Sequence, residues 1–210
     1  MRIGSIAILI MAFWSCDSSK KWETQEETKD LPKPTTYEGQ VNRYRDSISA
    51  VFFSGSNQVL PKSDISPEGR LHYFPPNEAY RVKAEFEPIT AGEIFRMKTN
   101  TDRLPEYKKY GILHFRLANQ DLQLFLYQNV EQPDYLFCPF KDLSNGDQSY
   151  GSGRFLDFKA DDLTNVADVV LDFNYAYNPY CAYNKNYSCP LPPVENHLDI
   201  AIYAGEKKWH

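Results

Sequence analysis

The residues best equipped for chemistry crowd into one stretch, residues 150–196. It carries a guanidinium at Arg154, carboxylates at Asp157, Asp172 and Glu195, and amides at Asn174, Asn178 and Asn196. Tyr177 sits in a run with Tyr175, Tyr180, Tyr183 and Tyr187, and rings with polar tips suit a carbohydrate or small-ligand pocket. The three carboxylates would supply acid–base groups to an enzyme, although no spacing makes two of them meet. A planar guanidinium among aromatics holds either a ligand carboxylate or an internal acid. The internal pair is the favoured expectation for Arg154, with Asp157 and Asp172 as partners in the same block.

Cys181 and Cys189 open three chemistries. Two cysteines in one loop of an exported chain most readily form a disulfide, which is the expectation here. A metal would need a third ligand such as His197 or Glu195, and this cysteine spacing is not that of a zinc finger; no metal site is assigned. A nucleophilic thiol would need an activating histidine, and none of His72, His114, His197 or His210 lies in a catalytic motif. Gly151-Ser152-Gly153 lacks the third glycine of a dinucleotide-binding turn, where Leu156 stands, and opens no helix. These glycines instead suit positive φ and close backbone approach at a bulge. The block points to no particular cofactor.

Short strands must position these groups. Apolar residues alternate along residues 80–86 and again around Leu113, Phe115 and Leu117. After a turn at residues 118–121 the alternation resumes at Leu122, Leu124 and Leu126, as in a hairpin with one buried face. Further strands are expected at residues 93–99, 135–140, 169–173 and 198–204, with a tight turn at residues 144–147. Val41, Tyr44, Ile48, Val51 and Phe52 have near-helical spacing, so residues 41–53 predict one short helix. The fold expected is mainly β: an antiparallel sandwich or a small, partly open barrel, with one short N-terminal helix and a long C-terminal loop rich in aromatics and proline. If Leu171 and Phe173 face the core, period two turns Asp172 and Asn174 outward, where they would line a concave site or anchor the following loop.

The chain of 210 residues has a net charge of −5, so it lacks the basic excess of a nucleic-acid partner, and acidic ligands gain no long-range attraction. Residues 3–14 form an apolar run behind Arg2, too short to span a membrane and suited to a signal peptide. Ser15-Cys16 at its end resembles a lipobox, with bulkier residues at Phe13 and Trp14 than usual. The domain reading is therefore a signal peptide at residues 1–15, a lipid-anchored tether at 16–40 and a single β domain at 41–210. The polar, proline-broken composition of residues 20–40 supports the tether. Cys16 would join membrane lipid and hold the domain in the cell envelope, facing periplasm or exterior.

The blocks at residues 150–157, 172–179 and 189–196, together with Cys181, resemble the DUF1684 family. So do Tyr73-Phe74-Pro75-Pro76, Tyr80-Arg81-Val82 and Ala204-Gly205-Glu206. The resemblance spans residues 66–206. Its members are bacterial and archaeal and uncharacterised, so it supplies suspicious positions and no activity. Cys138 departs from the aliphatic residue of the matching strand and reads as a core hydrophobe. Members without evident export signals also carry the cysteine pair, which gives weight back to metal or redox chemistry. The function expected is a membrane-anchored accessory lipoprotein binding a small molecule or glycan near residues 150–196. The alternative is an enzyme, a hydrolase or a metal- or thiol-dependent catalyst, using Arg154, Asp172 and Glu195 or the cysteine pair.

Overall fold

The computed structural model describes residues 34–54, 59–65 and 69–209. The signal peptide expected at residues 1–15, the expected lipidation site Cys16 and most of the expected tether lie outside the described residues. Helix α1 spans Tyr37–Phe53 and so begins before residue 41. Thr36 caps it, its side chain accepting the Gly39 N–H at 3.1 Å, and Glu38 stands in the first turn where a negative charge is favoured. The buried face is Val41, Arg45, Ser49 and Phe52. Two of those four are polar, which is why apolar spacing alone described the face incompletely. Arg45 is buried because it donates to the carbonyls of Phe74 at 2.8 Å and Asn174 at 3.0 Å.

The strands are β1 Arg81–Pro88, β2 Ile94–Arg96, β3 Glu106–Leu117, β4 Gln120–Asn129, β5 Leu136–Phe140, β6 Arg154–Phe158 and β7 Val169–Asp172. They form one curled antiparallel half-barrel in the order β6-β5-β4-β3-β1-β7, with β2 paired to β3. The partly open barrel, not the two-sheet sandwich, is thus the architecture. The β3–β4 hairpin closes through Ala118 and Asn119, both at positive φ (51° and 62°), with Leu117 opposite Gln120. A two-residue turn of that hand matches the twist of the flanking strands.

The concave face holds the main core, including Leu113, Phe115, Leu124, Leu126, Phe140, Leu171 and Phe173, with the fully buried Cys138 among them as the sequence suggested. The opposite face carries a second cluster of Met97, Tyr107, Tyr127, Phe137 and Phe155. Strand β5 lies between the two and is buried at all five positions. A strand covered on both faces reads as a continuous apolar run, so alternation does not reveal it.

Residues 198–204 correct one expectation. Leu198, Ile200, Ile202 and Ala204 are buried as the alternation requires, yet the segment is not a strand of the sheet. Its backbone groups go elsewhere. Leu198 N–H donates to Lys141 O, Leu143 N–H to Ile200 O, and Ile202 N–H to the Asp142 carboxylate. The carbonyls of Ile202, Ala204 and Glu206 are taken by a single side chain, Arg154.

Candidate functional site

Arg154 begins β6 directly after Gly153, whose φ of 101° suits glycine; a Cβ there would lie 2.6 Å from Phe140 O. Residues three apart on a strand face opposite sides, so Arg154 and Asp157 cannot pair. The guanidinium points into the core and meets Asp142 at 2.8 Å, both side chains having no exposed surface. Asp142 is saturated by two further donors, the main-chain N–H groups of Ser144 at 2.9 Å and Ile202 at 3.0 Å. Arg154 also lies 5.4 Å from the Phe140 ring and 5.9 Å from that of Phe74. The internal pair holds, but its partner is Asp142, which the motif block did not contain. No face of Arg154 is open to a ligand.

Asp172 and Asn174 do not project together from the sheet. The strand ends at Asp172, which caps the 3-10 turn Phe173–Tyr175 by accepting the Asn174 N–H at 3.0 Å, and that turn breaks period two. Asn174 is consequently fully buried, and its amide clasps the main chain of Asn77 through both oxygen (2.9 Å) and nitrogen (2.8 Å). Asp172 also accepts from Tyr37 at 3.0 Å and lies 3.7 Å from Arg81. Together they tie α1, β1 and the long loop.

The other nominated residues fall into separate groups. Asn196 is buried and bonds Phe125 on both sides (2.7 and 2.9 Å) and Pro139 O at 2.7 Å. Glu195 turns the other way, to Lys109 at 2.7 Å and Tyr127 at 3.1 Å. Partial burial opposes its ionisation, but the Lys109 contact holds the carboxyl below the usual carboxylate range. Asp157 accepts from the hydroxyls of Tyr135 (2.6 Å) and Tyr177 (2.7 Å) at the surface of the aromatic cluster. Arg154, Asp172 and Glu195 therefore share no site. His197 bonds Pro192 O and, like Glu195, is committed away from the cysteines. Among the described residues no cluster of three His, Cys, Asp or Glu side chains is placed to hold a metal ion.

The titratable group that sequence reasoning missed is Glu206. Its carboxylate is buried, accepting from Asn178 N–H at 2.9 Å and from the Tyr183 hydroxyl. Gly205, at φ 74°, lets the backbone pass within contact of Ala176 O. The signal available was Glu206 itself, a charged residue closing the otherwise uncharged stretch of residues 200–205. Burial raises its pKa to about 7 against the ordinary 4.5, opposed by its hydrogen bonds and by Arg154. The native chain then binds more protons than the unfolded chain between those values. This contribution to stability is complete below about 4.5 and is lost as pH rises through about 7. A shift of this size corresponds to about 3 kcal/mol. Urea unfolding at pH values either side of that window should show wild type weakening toward higher pH, and Glu206→Gln should flatten the difference. An unchanged slope in the variant would refute the assignment.

These buried polar groups frame an open cleft of about 600 Å³, lined by His72, Tyr73, Asp147, Gln148, Lys207 and Lys208. Its walls are joined by main-chain hydrogen bonds from Lys207 N–H to His72 O (2.8 Å) and from Lys208 N–H to Gln148 O (3.0 Å). Asn178 holds Lys207 O at 2.7 Å from below. Lys207 stands 5.0 Å over the Phe74 ring, and among the described residues neither Lys207 nor Lys208 forms an ion pair. A second cleft of about 560 Å³ lies by β1, β3 and β4, but its ionisable side chains already have partners: Lys83 with Asp168, His114 with Glu87, Arg116 with Asp121. The disulfide expected between Cys181 and Cys189 is not present: both are free thiols, held close by the Cys181 N–H donating to Cys189 Sγ at 3.2 Å.

A family model described as "Protein of unknown function (DUF1684)" matches residues 69–207. The chain belongs to the DUF1684 family. The DUF1684 span starts after α1 and includes Arg154, Asp142, Asn174, Asn178, Asn196 and Glu206, the groups that build the buried network. The solution NMR structure of an uncharacterized protein from gene locus rrnAC0354 of Haloarcula marismortui is similar, with a TM-score of 0.65 and 34% identity over 81% of this chain and 94% of that one. The N-succinylarginine dihydrolase of Shewanella frigidimarina (strain NCIMB 400) is 29% identical over 104 residues, 42% of this chain and 23% of the dihydrolase. The chain thus spans about a quarter of that relative's length.

Proposed function

We propose that this DUF1684 protein is a lipid-tethered, extracytoplasmic binding protein whose ligand seat is the cleft of His72, Lys207 and Lys208, suited to a small anionic molecule. One observation carries the reading: two lysines that form no ion pair among the described residues stand on a backbone that Asn178 and the neighbouring Arg154 and Glu206 pin from beneath. A concavity on which a few polar groups converge is where a small-molecule site is first sought, and here the two lysines outweigh the single carboxylate of Asp147. The net charge of −5 repels anions at long range, but screening confines that repulsion to about 10 Å, whereas the two ammonium groups act at contact.

Thermal unfolding of the chain with phosphate, a dicarboxylate and a sugar acid tests the seat. At least one should raise the melting temperature of wild type and leave a Lys207→Gln, Lys208→Gln double variant unmoved. Equal stabilisation of both proteins, or none of wild type, would count against the cleft. The tether rests on the apolar run of residues 3–14 followed by Cys16. Cys16→Ser should shift the chain from the membrane to the soluble fraction; a variant that stays with the membrane contradicts lipid attachment there.

A further inference from the structure

Within the motif block, Cys181 and Cys189 are the reactive pair brought together without either sulfur being consumed by a structural duty. Cys181 lies half-buried in the 3-10 turn Tyr180–Ala182, while Cys189 is buried. Each end of the intervening loop is anchored independently. Tyr183 and Asn184 N–H groups both return to Tyr180 O at 3.0 Å. Cys189 exchanges hydrogen bonds with Asn100, its N–H to the side-chain oxygen at 2.6 Å and its carbonyl from the Asn100 N–H at 3.1 Å. Ser188 adds contacts to Thr99 at 3.1 Å and Thr101 at 2.6 Å. The loop therefore keeps its shape without a covalent bridge. The pair is thus not a staple on which the fold depends.

We propose that Cys181 and Cys189 form a dithiol–disulfide couple that exchanges with an external disulfide, Cys181 attacking and Cys189 resolving. The inference is independent of the anion cleft. The roles follow first from access, since Cys181 is reachable and Cys189 is covered. They follow also from neighbours: Cys189 Sγ receives the Cys181 N–H, and the Tyr150 hydroxyl lies 3.8 Å from Cys181 Sγ. The Cys189 thiol brings the Cys181 thiol down to about 7, burial opposing and Tyr150 assisting, while the same contact and burial push Cys189 up. The groups acting on the pair are Tyr150, Tyr180 and Arg103, with no carboxylate among them. A thiolate fraction at neutral pH on the accessible sulfur, and a protonated thiol on the covered one, is the division of labour that exchange needs.

The steps balance. Cys181, having given its proton to solvent, attacks one sulfur of RS–SR, forming Cys181–SR and expelling RS⁻, which takes up a proton. Cys189 then loses its proton and attacks Cys181 Sγ, forming the Cys181–Cys189 bond and expelling the second RS⁻, which is protonated in turn. Two protein thiols are oxidised and one disulfide is reduced to two thiols. The oxidant is any accessible small-molecule or protein disulfide, which an oxidising compartment supplies.

The test incubates the full chain in glutathione buffers running from reduced to oxidised, quenches with acid, alkylates and reads the cysteine peptides by mass. Wild type should pass reversibly from two alkylated thiols to one linked peptide pair lighter by two protons. Cys189→Ser should accumulate glutathione on Cys181, whereas Cys181→Ser should leave Cys189 mostly as thiol. Cys138, fully buried in the core, stays unmodified in folded samples and reports on folding. If a serine variant fails that control, limiting glutathione disulfide on wild type decides the order, and the first adduct should be on the Cys181 peptide. Glutathione arriving first on Cys189 overturns the roles. A bridge that never forms, or one that no reduced buffer opens, overturns the couple.

Discussion

Replacing Arg154 with Met should cost about 3–5 kcal/mol of folding stability, the range for removing one member of a buried ion pair. Met fills a similar volume, so the loss is electrostatic. Asp142 would remain charged and without exposed surface, and the carbonyls of Ile202, Ala204 and Glu206 would lose their shared donor. The C-terminal segment lies in no sheet strand and has only isolated bridges and scattered main-chain hydrogen bonds to fall back on. Released, it would take Lys207 and Lys208 with it, so anion binding should disappear along with stability. Adding Asp142→Asn should recover part of the loss, because the side-chain oxygen facing Ser144 and Ile202 can persist while the unpaired charge is removed. Denaturant unfolding of the two single variants and the double variant measures the coupling. A change under about 1 kcal/mol for Arg154→Met, the scale of an exposed pair, would show that the pair is not the staple described.

The second large effect concerns α1. A chain beginning at residue 69 keeps the whole family-matched span yet should not fold stably, whereas a chain beginning at residue 34 should. The truncation strips Val41 and Phe52 from the interior, each contributing about 1.5–3 kcal/mol by burial. It also deletes the two Arg45 hydrogen bonds to Phe74 and Asn174, charge-assisted and about 1.5–3 kcal/mol each. The sum is comparable with the whole stability of an ordinary domain, about 5–15 kcal/mol. Far-ultraviolet circular dichroism and thermal melts of the two chains give the answer. A cooperative melt near that of the longer chain would refute the role assigned to α1.

What the sequence revealed depended on which rule governed each segment. The β3–β4 hairpin was legible because one face is buried and the side chains alternate with it. Strand β5 was expected at residues 135–140 even though burial on both faces erases its alternation, whereas β6, buried at four of five positions, was not expected as a strand. At residues 198–204 the alternation was real and the inferred strand was not, because a guanidinium in the core replaced the neighbouring strand as hydrogen-bond donor. For Asp172 and Asn174 the periodicity failed at the point where Asp172 stopped being a strand residue and became a cap. Parity alone could have excluded an Arg154–Asp157 pair. Asp142 and Glu206 were not nominated for a different reason: charged residues count as surface until a buried partner is known, and sequence spacing did not mark Arg154 as the partner of Asp142 or Tyr183 as that of Glu206. The proximity of Cys181 and Cys189 was legible because one short loop brings them together whatever surrounds it.

The claim that most needs testing is that the residues of the motif block serve as a frame, with recognition at the cleft they support. Titrating uniformly ¹⁵N-labelled chain with inorganic phosphate and following backbone amides by NMR addresses it residue by residue. Saturable shifts concentrated at His72, Gln148, Lys207 and Lys208, with small changes at Lys83 and Arg116, are the expected result. Shifts centred on Lys83, His114 and Arg116 instead, or no saturable shift at any amide, would contradict the account.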